Sequence, residues 1–140
     1  MEKKVSVKQI VQDMLDYSST RRDEAMAGVC STSSEAPRFK RQQFELAMFN
    51  YEIAHISQRI LEESEATKTT VEDYVKTIYL PSIARVLLDK GEAGLLRKYE
   101  RDFVRMLFAR MVQNDNCRPS DFPYIPYNFK NHNDNGNKDS

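Results

Sequence analysis

Apolar positions along this chain recur at intervals of three and four residues rather than two, so the elements they predict are helices. Val7, Ile10, Val11, Met14 and Leu15 open the first, with Ser6 and Gln9 spaced as a capping box. This helix is expected over Val7 to Ala27, with a weak point at Ser18 to Thr20 and Gly28 as its stop. Residues 29–34 read as a loop ending in Ser34 as a cap, and Pro37 fits the first turn of the next helix. The second helix is expected from about Glu35 to Ser64, because Leu46, Phe49, Ile53, Ile56 and Ile60 form one continuous stripe. A second stripe, Phe44, Met48 and Tyr51 with Ala47 and Ala54 between, lies on another side. A helix apolar on two sides needs two sets of neighbours, so it is expected either at the centre of a bundle or in an oligomer interface.

Thr69 and Glu72 suggest a further capping box, and Val71, Tyr74, Val75 and Ile78 begin a third helix. Pro81 lacks an amide donor and disfavours helical geometry at Leu80, so the helix is expected to kink or restart there before Lys90 and Gly91 end it. The fourth helix is expected from Glu92 to Gln113, with Leu96, Tyr99, Phe103, Leu107 and Met111 on its apolar side. Beyond it, proline spacing in CRPSDFPYIPYNFK predicts an extended or polyproline path. The expected fold is all-α, a four-helix bundle-like domain over residues 1–130 with a broken third helix, followed by a disordered tail at 131–140.

Composition narrows the function classes. Of 140 residues, 40% are hydrophobic and 30% charged, which is enough to fold one domain without metals or disulfides. Twenty-one basic residues balance 21 acidic ones, so any nucleic acid or membrane surface would have to be held by a local patch. No apolar run is long enough to cross a bilayer and MEKKVSVKQI lacks a signal-peptide core, which places the chain in the cytoplasm as an expectation. Cys30 and Cys117 are too few for a disulfide framework and lack metal spacing.

Catalytic motifs are missing: the sequence has no nucleophile elbow, no phosphate-cradling glycine loop and no paired histidine ligands around His55. Neither a metal nor a cofactor is expected. Glu62, Glu63, Glu65, Glu72 and Asp73 lack the convergent spacing of a hard-cation loop. Two basic clusters could hold phosphates. Arg97, Arg101 and Arg105, four residues apart and therefore along one face of the fourth helix, form a row with Lys98 beside them, and Arg38, Lys40 and Arg41 start the second helix. The competing account of the row is local ion pairing of Arg97 with Glu100 and of Lys98 and Arg105 with Asp102.

The aromatic C-terminal stretch, Phe122, Tyr124, Tyr127 and Phe129 among three prolines, has two readings. Its Pro123 to Pro126 spacing suits recognition by a partner. Four rings in eight residues also suit a strap folded back over the bundle, since leaving them all wet would make an unusually large apolar patch. Together these features predict a non-enzymatic helical interaction protein, an accessory or regulatory subunit of a larger assembly, with a phage, a virus or a mobile element as a candidate source. Its interface is expected to draw on Phe44, Met48, Tyr51 and the C-terminal rings, and to receive a protein partner or another copy of the chain. The alternative is a nucleic-acid-binding factor using the two basic clusters.

Overall fold

The computed structural model describes residues 5–30, 37–95 and 97–125, and the fold is all-α, with no strand among the described residues. Helix α1 spans Val7–Val29. Ser6 Oγ accepts from the Gln9 amide at 3.1 Å, so half of the expected capping box forms, while the Gln9 side chain donates to Asp13 instead. The helix runs unbroken through Ser18–Thr20 because Ser18 is buried on the same side as Val11, Met14 and Ala25, where packing outweighs a weak propensity.

Helix α2 spans Pro37–Ala66. Gly28 meets Gln43 at one end of the pair, and Ser6 and Val7 share a crevice with Leu61 at the other, so α1 and α2 form an antiparallel hairpin. The approach is close: a Cβ on Gly28 would lie 3.1 Å from Gln43 Cγ. Small buried residues along the pair, Ser18, Ala25, Ala47 and Ala54, let the two helices come together. Ser34, the expected cap of α2, lies outside the described residues.

The third helix begins at Val71 as expected, but its cap is one residue later than the sequence suggests. Thr70, not Thr69, accepts the amide of Asp73 at 3.0 Å, while Thr69 Oγ1 donates to Ser64 O in the preceding connection. From there α3 (Val71–Tyr74), a π-helical turn (Val75–Tyr79) and α4 (Leu80–Lys90) continue as one rod. The expected break at Pro81 is therefore a change of hydrogen-bond register. The wider turn, in which the Leu80 amide reaches back to Val75 O, opens the helix just before the proline ring, and Thr77 Oγ1 donates to Asp73 O. Gly91, at φ 70°, stops the rod as expected.

Helix α5 spans Glu100–Gln113 and starts eight residues after the expected point. Glu92–Gly94 is a 3-10 turn and Leu95 is extended, so the chain changes direction before the helix begins. Glycine at 91 and 94 interrupts helix formation, and the true start is marked by Glu100 and Asp102, acids favoured by the helix dipole. Leu96, expected on this helix, lies outside the described residues.

Phe103, Val104, Leu107, Phe108 and Met111 of α5 are fully buried against α1, the Ile53, Ile56 and Ile60 side of α2, and the Val75 and Leu80 side of the rod. Ala109, on the opposite side of α5, is buried as well. The enclosed helix is thus α5, and α2, the expected centre, has one side left in solvent. The chain then turns at Asp115 and doubles back. Asn116 Nδ2 donates to Val5 O at 2.9 Å, Phe122 meets Phe108 edge to face at 5.8 Å, and Ile125 is buried in the core. This part acts as a strap, but not an extended one. Pro119–Asp121 forms a 3-10 turn because Pro119 suits a first helical position and the Asp121 carboxylate accepts the Arg118 amide at 2.9 Å. Tyr127, Phe129 and the expected tail at 131–140 lie outside the described residues.

Candidate interaction surface

At 100° per residue, Arg41, Phe44, Met48, Tyr51, His55, Arg59 and Glu62 fall within a strip roughly 80° wide along α2. That strip points away from Ile53, Ser57, Ile60 and Ser64, which are buried. Phe44 is 48% exposed, Met48 41% and Tyr51 46%, so the second apolar stripe is in solvent over two turns of helix. Tyr51 and His55 stack on it, ring centroids 6.1 Å apart and 24° from parallel. The local cause is the hairpin: α1 takes the Ala47 and Ala54 side of α2, and the core takes the isoleucine side. Neither neighbour reaches the third.

The expected arginine row does not form. Arg97 precedes α5 and turns towards α2, where its Nε and NH2 groups both lie 2.9 Å from Glu52 Oε1. Its expected partner Glu100 instead accepts from the Tyr79 hydroxyl at 2.7 Å. Arg101 pairs with Glu92 at 3.1 Å and with Asp102 at 3.6 Å. Lys98 lies over the Tyr99 ring at 5.3 Å rather than on Asp102. Arg105 is half-buried, and its Nε is buried without a hydrogen-bond partner. The other basic group, Arg38, Lys40 and Arg41, sits at the far end of α2. From position 41 to the Arg97 contact at position 52 is about 16 Å along the axis, with Glu45 and Glu52 on the intervening side. The two basic groups therefore do not merge.

Sequence reasoning missed a polar cluster between α2, the rod and the start of α5. Arg59, Glu63, Tyr74, Tyr79, Arg97 and Glu100 line a single cleft. Burial pushes the Tyr79 hydroxyl well above the usual phenol range, and the Glu100 carboxylate that accepts its hydrogen bond adds to the effect. Tyr74 is raised for the same first reason, burial, with Glu63 contributing. Tyr79 and Glu100 are bonded across 21 residues of sequence, and Arg97 reaches out of the cleft to Glu52 across 45, separations that helix periodicity does not register.

Of the C-terminal rings, Phe122 is partly buried and packs against the core, and Tyr124 is 57% exposed. Burial, followed by the nearby Asp121, pushes the Cys117 thiol up to about 11, while Cys30 is exposed. No group of three or more metal-ligating side chains occurs among the described residues, and no helix there is long and apolar enough to cross a membrane. Comparison with protein-family models, curated proteins and solved structures finds no match.

Proposed function

We propose that this chain is a non-catalytic helical interaction protein, an accessory or regulatory subunit of a cytoplasmic assembly, and that the outer strip of α2 is its working surface. The observation that carries this reading is the contrast around one helix. Ile53, Ile56 and Ile60 are buried, while Phe44, Met48 and Tyr51 stand in solvent as neighbours. Aromatic residues, methionine and arginine are the side chains most enriched where proteins meet, and all three kinds share this strip.

The nucleic-acid alternative has less support. Arg97 and Arg101 are engaged with carboxylates, and acidic residues stand between them and the start of α2. The test is retention of a partner from an extract of the native source by wild-type protein and by a Phe44→Asp/Tyr51→Asp variant. The variant is expected to keep its helicity and melting temperature and to lose the association. Equal retention by both, or a wild-type chain that neither self-associates nor retains any protein, would sink the reading.

A further inference from the structure

The outer strip of α2 is polarised along its length. Arg41 stands before Phe44, Met48 and Tyr51, and Glu62 stands after them, with the exposed pair Glu45 and Arg59 placed between in the opposite order. Arg41 has no ion-pair partner among the described residues. Glu62 takes one exposed hydrogen bond from Gln58. Such a strip is complementary to itself when reversed.

We infer that the partner seated on this strip is a second copy of the chain, with the two α2 helices antiparallel about a two-fold axis near Tyr51 and Glu52. The inference rests on the interaction reading above and adds the identity and register of the partner. Arg41 lies as many residues before that axis as Glu62 lies after it. In the antiparallel pair each Arg41 therefore meets Glu62 of the second copy. Arg59 meets Glu45 of the second copy within one residue of the same centre. Tyr51 lies at the axis against its own equivalent, flanked by Met48 and His55 on each side, and Phe44 packs on the stem of Arg59. The isologous symmetry doubles every contact. A parallel pair would set each residue against its own copy, Arg41 on Arg41 and Glu62 on Glu62, and like charges would repel. The charge order along one helix thus selects one orientation. From Arg41 to Glu62 the strip is about 32 Å long, a span that near-antiparallel helices can follow without diverging.

Sedimentation equilibrium with charge reversals tests this. Wild-type protein is expected to dimerise. Arg41→Glu and Glu62→Arg are each expected to weaken dimerisation by about tenfold or more, because each sets like charges together at two places. The Arg41→Glu/Glu62→Arg double variant, with helicity unchanged, is expected to return to within about threefold of wild type. A wild-type monomer at about 0.1 mM would overturn the inference. So would an Arg41→Glu dimer as tight as wild type, the sign of a parallel pair in which position 41 still faces a like charge on its own copy, or a double variant as weak as the singles. A monomer that still retains another protein through Phe44 and Tyr51 removes the second copy and leaves the interaction reading standing. A monomer that retains nothing removes both.

Discussion

The two halves of α2 have similar apolar content and opposite fates. From Ile53 onward, isoleucines at 53, 56 and 60 are enclosed by α1, α5 and the rod, and almost none of their surface reaches water. Before Phe49, the helix leans on α1, through Ala47 and the close approach of Gly28 to Gln43, and Phe39, Phe44 and Met48 remain exposed, as does Tyr51. The reason is length. Tyr99, just before α5, meets the Phe49 ring edge to face at 5.1 Å, Met106 and Arg110 lie beside Phe49 and Ile53, and beyond the far end of α5 Asn116 is bonded to Val5. Nothing of α5 lies beside the first three turns of α2. One half of the helix holds the fold together, and the other presents a surface.

The largest test of this contrast is truncation of one ring from each region. Phe108→Ala, at a fully buried position facing Phe122, is expected to cost about 3–5 kcal/mol in denaturant unfolding. Phe44→Ala, extrapolated to infinite dilution, is expected to stay within about 0.5 kcal/mol of wild type. Comparable losses at the two positions would mean that the outer strip is packed in solution.

A smaller effect probes the polar cleft of the enclosed half. Tyr79→Phe is expected to lose about 1.5–3 kcal/mol at neutral pH, since it removes a hydrogen bond to a carboxylate. The raised folded-state value of Tyr79 fixes the sign of the pH dependence. The contribution is complete below pH 10, the ordinary value of the phenol. It is lost as pH rises from there towards the higher folded value, because the unfolded chain releases the proton first. Unfolding of wild type and variant between pH 7 and 11 should therefore show their gap narrowing above pH 10. A gap that widened there would contradict the buried, proton-holding Tyr79.

Thiol labelling gives the smallest readout. Cys30, exposed at the end of α1, should alkylate promptly at pH 8, while Cys117, held protonated by burial to about 11, should react only slowly until the strap is loosened. Equal rates would show the strap open in solution.

How much of this was legible in the sequence follows from the range of the forces involved. Helix existence was readable, because three-and-four spacing and the Ser6 cap are local properties of the chain. The start of α5 was misplaced because apolar spacing continues through Leu95, whereas Gly91 and Gly94 break the backbone; Glu100 and Asp102 carried the correcting signal. That error also produced the arginine row, since Arg97 shares a face with Arg101 and Arg105 only if all three are on one helix. The two stripes of α2 were visible, but which would be covered depends on where α1 and α5 lie. The ion pair of Arg97 with Glu52 and the hydrogen bond of Tyr79 with Glu100 were hidden for the same reason, being products of tertiary packing.

The central claim is that the outer strip of α2 serves association and not the fold. Its most direct test is unfolding and solution mass measured together on a Phe44→Asp/Tyr51→Asp variant. The account predicts a monomer whose unfolding free energy, extrapolated to infinite dilution, matches wild type within about 0.5 kcal/mol. A loss of more than about 2 kcal/mol in the monomer would place Phe44 and Tyr51 in the core and contradict it.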